Sequence, residues 1–142
     1  MNSIIILMEL CYIQSEKIAI QLGLAIKSSE EEHRKLLLLE EYRKEHIEQF
    51  QLKLSQGLNV GVFDNFKKFI SSLEQLILNQ KHIADSRLIS IEICRKDWQD
   101  SEKKRLTYTT LINRSEASLR LKEHKLEQKQ TDEFASRKKI NK

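Results

Sequence analysis

The chain contains no proline in 142 residues, and two of its three glycines lie in one short window. Proline and glycine are the strongest helix breakers, so a sequence nearly without them favours long uninterrupted helices. The window is "SQGLNVGVF" at 55–63, where Gly57 and Gly61 permit the positive φ values that end one helix and reverse the chain. We therefore predict a single domain over 1–142, with a helix over about 3–55, a turn at about 55–62 and a helix over about 63–136.

The second predicted helix carries a seven-residue repeat. Stepping by seven from its start gives a column that is apolar except at Arg105: Phe63, Ile70, Ile77, Ala84, Ile91, Trp98, Arg105, Ile112, Leu119 and Leu126. The column three residues further on is mixed: Phe66, Leu73, Gln80, Arg87, Cys94, Ser101, Tyr108 and Ser115. A sustained repeat of this kind predicts a left-handed coiled-coil seam, here a thin one because its companion column is partly polar.

The first predicted helix has a matching but less regular apolar stripe, made of Met8, Cys11, Ile18, Leu22, Ala25, Leu36, Leu39, Ile47 and Phe50. Two helices joined by a short turn bury such stripes against each other. The predicted fold class is all-α: two long helices in an antiparallel coiled-coil hairpin with a C-terminal single-helix overhang. With the turn centred near Asn59, residue 3 lies opposite residue 115. Residues 116 to about 136 then extend beyond the first helix by roughly 30 Å.

A third column, one residue before the main seam, consists of Phe69, Leu76 and Ile83. A two-stranded coiled coil does not need to bury this column, and exposed apolar surface usually marks a contact site. Two interpretations of Phe69 and Leu76 stay open here: a partner surface, or a thickening of the seam near the turn. Tyr42 also has two open interpretations of equal weight: a contact with a partner, or packing on the flank of the seam.

Positive charge is concentrated at the C-terminal end. Residues 101–142 hold 12 of the 25 Lys and Arg and 6 of the 21 Asp and Glu, a local balance of +6. This asymmetry suggests an acidic partner. A nucleic-acid-binding helix over 103–142 is one alternative, although the acidic Glu123, Glu127, Asp132 and Glu133 are interspersed among the lysines. A generic coiled-coil adaptor or tether, including one that forms a homodimer, is a second alternative.

Several other functions have no support in the sequence. It contains no phosphate-binding loop, no nucleophile motif and no histidine and cysteine spacing suited to a metal, so we predict no enzyme, no metal and no cofactor. Cys11 and Cys94 fall far apart along the predicted hairpin and read as buried thiols of a reducing compartment. The apolar start "NSIIILMELC" is interrupted by Glu9 and is too short to span a bilayer, which predicts a soluble cytoplasmic protein.

Four segments resemble the FliJ family, small coiled-coil components of the flagellar type III export apparatus. They are "LEEYRKEH" (39–46), "SQGLNVGVFDNFKKFISSLEQ" (55–75), "RKDWQDSEKKRL" (95–106) and "KLEQKQTDEFASR" (125–137), in the family's order and spacing. The last is the most specific, and the first thirty residues match poorly. The resemblance implies a shape similar to the central stalk of rotary ATPases. It also implies a place on the cytoplasmic side of the flagellar base, at the membrane only through partners.

The resemblance further implies three partners: the export ATPase ring, the cytoplasmic domain of the export gate, and export chaperones. We expect no nucleic-acid partner, because the acidic residues among the lysines disfavour phosphate binding. The gate surface corresponds to Leu39, Tyr42, Phe69, Leu73 and Leu76; this chain departs from the family pattern at its edges, with Lys35, His46 and Gln80. The ends of the hairpin enter the ring, which assigns the ring contact to the overhang residues Leu119, Lys122, Lys125, Leu126, Lys129 and Phe134.

Overall fold

A computed structural model describes residues 2–57 and 59–140, and all of this part except the short turn is helical. Helix α1 runs over Asn2–Ser55 and helix α2 over Val60–Ile140, and the two contact each other. The predicted domain over 1–142 also includes residues 1, 58, 141 and 142, which lie outside the described residues. No helix of the described part is long and apolar enough to cross a membrane.

The turn between the helices is built by one glycine and one asparagine. Gly57 has a φ of 89°, a left-handed conformation that favours glycine, and its N–H donates to the Leu54 carbonyl at 3.2 Å. Asn59 caps α2, because its Oδ1 accepts the Val62 N–H at 3.1 Å. This cap starts α2 at Val60, three residues before the predicted position. The expectation of a positive φ at Gly61 was wrong, since Gly61 lies inside the first turn of α2.

The chain divides into two compact units, of which the first is Lys17–Trp98. Its buried apolar residues on α2 are Leu73, Ile77, Ala84 and Ile91, all from the two columns of the predicted repeat. Near the turn, the Phe50 ring stacks on the Phe66 ring with centroids 3.6 Å apart. Moving away from the turn, Arg43 contacts Glu74 and Glu32 contacts Gln80, so residue numbers fall on α1 while they rise on α2.

The second unit is Met1–Glu16 with Gln99–Lys142. Here Ser15 contacts Glu102, and Met8 contacts Thr109, whose hydroxyl lies 3.8 Å from the methionine sulfur. Ile112 is buried and continues the α2 column. Cys11, in this unit, and Cys94, in the first, are both free thiols that are half-buried rather than fully buried.

Beyond Ser115, α2 has no buried residue in its described part. Every residue from 116 to 139 is exposed, including Leu119, Leu121, Leu126 and Phe134. The hydrogen bond from the Thr131 hydroxyl to the Glu127 carbonyl lies within the helix itself. A helix that is polar and exposed all round gains little from tertiary packing, which supplies most helix stability in proteins.

Candidate partner-binding surfaces

The seam of α1 explains where the candidate residues point. Most of its half-buried and buried residues follow alternating steps of four and three: Ile4, Met8, Cys11, Ser15, Ile18, Leu22, Ala25, Ser29, Glu32, Leu36, Leu39, Arg43, His46 and Phe50. The half-buried Ser28, His33 and Ile47 lie one residue to the side of this series. Five residues of the series are polar, and the apolar stripe predicted from sequence passed over them. The step itself could have found Ser15, which fills the gap of seven between Cys11 and Ile18. The other four polar residues lie in pairs within gaps of eleven, where the apolar pattern gives no such signal.

A mixed aromatic and apolar surface lies beside the seam in the first unit. We call Leu39, Tyr42, Phe69, Leu73 and Leu76 the aromatic patch. Tyr42 comes one residue before the seam residue Arg43, and Phe69 and Leu76 come one residue before Ile70 and Ile77, so all three lie on the flank. Phe69 is 40% exposed, Tyr42 45% and Leu76 55%. The exposed third column predicted from the sequence is therefore present, and Ile83 belongs to it as well.

Leu73 differs from the rest of the aromatic patch. Its side chain is only 4% exposed, because it occupies a seam position and packs between the helices. Leu39 is half-buried for the same reason. These two side chains therefore offer little area to a partner.

His46 joins Tyr42 and Phe69 in a cluster of three rings. Its imidazole lies 4.3 Å from the Tyr42 ring and 5.1 Å from the Phe69 ring, and the Tyr42 and Phe69 rings meet edge to face at 6.2 Å. The His46 Nδ1 is buried and has no hydrogen-bond partner. A buried polar atom without a partner costs stability. We therefore expect His46 to make the seam less stable than an apolar residue at the same position would.

Polar contacts cross the seam in the first unit. The Gln80 amide donates to the Glu32 carboxylate at 2.6 Å and to the Glu32 carbonyl at 2.9 Å. The hydrogen bonds from Gln80 and from Lys35 lower the pKa of Glu32 below the ordinary glutamate range. An Arg43–Glu74 ion pair at 2.8 Å adds a second crossing contact. Polar contacts at seam positions are a known way of fixing the register of a coiled coil.

The second unit has a crossing network of its own. The Ser15 hydroxyl donates to the Glu102 carboxylate at 2.6 Å, and the Arg105 guanidinium donates to the same carboxylate at 2.9 Å. Arg105 is the residue that interrupted the apolar column, and this contact accounts for a charge at a seam position. The hydrogen bonds from Arg105 and Ser15 lower the pKa of Glu102, and the Glu102 carboxylate raises the pKa of Arg105.

This network makes stability dependent on pH. A carboxyl whose folded-state pKa is lowered stabilises the fold above its unfolded pKa, and that contribution is lost as pH falls through the folded pKa. We expect Glu102→Gln to lower the melting temperature at pH 7 and the difference from the parent chain to shrink below about pH 4. Melting curves followed by circular dichroism from neutral to acidic pH measure this. The matched control is Glu92→Gln, which removes an exposed pair with Arg95 within α2; a Glu102→Gln effect that is constant with pH contradicts the assignment.

The exposed part of α2 carries the remaining candidate residues. We call Leu119, Lys122, Lys125, Leu126, Lys129 and Phe134 the tail surface. Leu119 and Leu126 are seven residues apart and share one face, with Lys122 and Lys129 along its edge. Phe134 lies on a neighbouring face, and the Lys138 ammonium lies 5.5 Å from its ring centroid. The two leucines are too widely spaced to form a continuous apolar seam. A partner of the tail surface would therefore contact mainly basic side chains and only isolated apolar ones.

The described residues offer no group of three or more His, Cys, Asp or Glu that could hold a metal ion.

Known proteins resemble the chain over most of its length. The family model of the flagellar FliJ protein matches residues 4–142. Over 116 residues the chain is 25% identical to the flagellar FliJ protein of Escherichia coli (strain K12), an alignment covering 82% of this chain and 79% of that protein. It is 24% identical to the flagellar FliJ protein of Salmonella typhi over the same shares of each chain. No solved structure gives a significant match. Because the family match spans nearly the whole chain, the chain belongs to the flagellar FliJ protein family.

Proposed function

We propose that the chain is a non-enzymatic component of the flagellar type III export apparatus that acts as a stalk in the export ATPase ring. It also contacts the cytoplasmic domain of the export gate and helps to escort export chaperones. Membership of the FliJ family supports the role in flagellar export. The protein works in the cytoplasm, at the cytoplasmic side of the flagellar base.

The proposed architecture is an antiparallel coiled-coil hairpin with a C-terminal single-helix overhang. The order of contacts supports it: within each unit, α1 residues of rising number contact α2 residues of falling number, as in Met8 with Thr109 and Ser15 with Glu102. The alternating steps of four and three on α1 and the seven-residue columns on α2 are the pattern of a coiled-coil seam.

One observation carries the stalk proposal: all residues from 116 to 139 are exposed, yet they continue α2 as a helix. Isolated helices in water are marginally stable unless something covers them. An enclosing ring would provide that cover. The lysines of the tail surface suit acidic groups on the ring's inner wall, and the few apolar residues allow contact without locking the helix in place.

The aromatic patch is the proposed gate contact. Its exposed members are large and mostly aromatic, and the Tyr42 and Phe69 rings contact each other edge to face. Large aromatic residues, tyrosine among them, often carry binding energy at interfaces. The ring and the gate are thus assigned to two different surfaces of the chain, which separate variants can test independently.

Co-purification with the export ATPase ring tests the proposal. We expect the chain to be retained by the assembled ring and lysine-directed cross-links to fall on Lys122, Lys125 and Lys129. The variant Leu119→Ser with Leu126→Ser should lose retention. The matched control, Ile89→Ser with Ile93→Ser, removes from another part of α2 two side chains that are at least as exposed and should be retained. Two results would show that the tail surface is not the ring contact. One is that all cross-links fall outside 116–139, and the other is that the ring retains the tail variant as well as it retains the parent chain.

A further inference from the structure

Three exposed carboxylates lie beside the aromatic patch on α1, within the compact unit Lys17–Trp98. We call Glu41, Glu45 and Glu48 the acidic triad; their spacing of four and three places them on one face of the helix. This face borders the exposed Tyr42 ring, because Glu45 lies one turn further along. No member of the triad forms an ion pair with a described residue. Like charges at this spacing destabilise a helix, so the triad costs the free chain stability.

The basic side chains of the same stretch do not neutralise the triad. Within residues 40–48 they are Arg43 and Lys44. Arg43 pairs with Glu74 across the seam at 2.8 Å. Lys44 follows the seam residue Arg43 by one, whereas Tyr42 precedes it by one, so Lys44 borders the triad from the side away from the aromatic patch. The edge that the triad shares with the patch is therefore apolar on one side and negatively charged on the other.

On α2, small uncharged residues line the exposed part of the aromatic patch. Ser72 and Asn79 follow Phe69 and Leu76 by three, so each lies one turn further along the same side of the helix, and both are exposed. Rows of large side chains beside small ones form the ridges and grooves into which a second helix packs. The shape of this side of the patch therefore suits a helical partner.

The exposed rings of the patch are available to a cation from outside the chain. The described cation–ring contacts involve Phe63 and Phe134, and neither Tyr42 nor Phe69 has one among the described residues. Arginine stacks on aromatic rings, and its guanidinium can bind a carboxylate in the same pose. An arginine of a partner that stacks on Tyr42 has the carboxylate of Glu45 one turn away.

We propose that the aromatic patch and the acidic triad together bind a basic amphipathic helix of a partner protein. The apolar residues of that helix lie against Phe69 and Leu76, and the arginine or lysine side chains along one edge meet the triad. The charge of the triad selects this occupant, because an acidic helix would be repelled and a neutral one would leave the carboxylates without a partner. The inference rests on the proposed function only in naming the gate as the protein that carries this helix.

Binding kinetics with the cytoplasmic domain of the gate test the role of charge. We expect Glu41→Gln with Glu45→Gln to weaken binding about fivefold, mainly through slower association, and the affinity of the parent chain to fall as salt is added. The matched control is Asp64→Asn with Asp85→Asn. These exposed carboxylates of α2 each follow a seam residue by one and so lie on the flank away from the patch. The control should bind like the parent, and circular dichroism confirms that each variant keeps its helices.

Two designed helical peptides test the inference separately from the gate assignment. Both carry leucines spaced by seven, with arginines along one edge in the first peptide and glutamates in the second. By fluorescence anisotropy, the parent chain should bind the arginine peptide at least about tenfold more tightly than the glutamate peptide, and Phe69→Ala with Leu76→Ala should lose this binding.

Two results would overturn the inference: equal binding of the two peptides, including no binding of either, or gate binding that neither salt nor the glutamine variant changes. If the arginine peptide binds and the gate domain does not, the basic-helix inference stands and the assignment of the gate to this surface is wrong.

Discussion

Removing residues 120–142 is expected to abolish the chain's retention by the export ATPase ring and its stimulation of ATP hydrolysis, while the melting temperature stays within about 2 °C of the parent chain. The described residues from 120 to 139 are all exposed, so their removal takes away no buried apolar surface. The tail surface, by contrast, loses all of its members except Leu119.

Three measurements check this first prediction: ring co-purification, steady-state ATP hydrolysis and thermal unfolding. Binding of the shortened chain to the gate domain serves as the internal control and should be unchanged, because the aromatic patch lies within Lys17–Trp98. A shortened chain that melts many degrees earlier would mean that the tail is packed in the native protein. Normal stimulation of the ATPase would mean that the ring contact lies elsewhere.

Leu73→Ala and Leu76→Ala, only three residues apart, are expected to have opposite consequences. Leu73 is buried in the seam, and truncating it should lower the free energy of unfolding by about 2–4 kcal/mol, the usual cost of a Leu→Ala cavity. Leu76 is mostly exposed, and its truncation should cost less than about 0.5 kcal/mol. Binding to the gate should follow the other order, with Leu76→Ala weakened and a further loss when Phe69→Ala is added.

Chemical denaturation and a pull-down with the gate domain separate the two effects. Gate binding of Leu73→Ala is measured at a temperature where that variant is fully folded, so that unfolding is not mistaken for a lost contact. The matched control for Leu76→Ala is Leu78→Ala, an exposed leucine on the same helix outside the aromatic patch. If the variant carrying both Phe69→Ala and Leu76→Ala binds the gate as well as the parent does, the patch is not a gate contact. Its exposed residues then only add apolar packing beside the seam.

The helical architecture was predictable because the strongest local signals agree with the packing. The α2 column from Phe63 to Ile112 is half-buried or buried throughout, and the one charged member, Arg105, has a partner in Glu102. The turn was found because glycine at Gly57 is the residue that a positive φ favours. Phe69, Leu76 and Ile83 were correctly placed on the exposed flank, since a fixed repeat determines which residues face outward.

Most polar residues of the α1 seam could not be predicted from the spacing of the apolar residues in the sequence. Ser15, Glu32, Arg43 and His46 occupy seam positions because α2 offers each of them a hydrogen-bonding, ionic or aromatic neighbour nearby, and those neighbours become adjacent only when the helices pair. The same reason explains the error at Gly61. Its positive φ was inferred from residue type, whereas Asn59 caps the helix earlier and places Gly61 inside α2.

The central claim is that residues 116–139 form a helix without a partner in the free chain, and hydrogen exchange measures this most directly. In dilute protein, we expect amides of α2 between 70 and 112 to exchange slowly, because opening them requires separating the buried seam. Amides from 116 to 139 should exchange many times faster, since only local fraying is needed to open them. Addition of the ATPase ring should slow exchange in 116–139. Protection of the free tail equal to that of the seam would contradict the account.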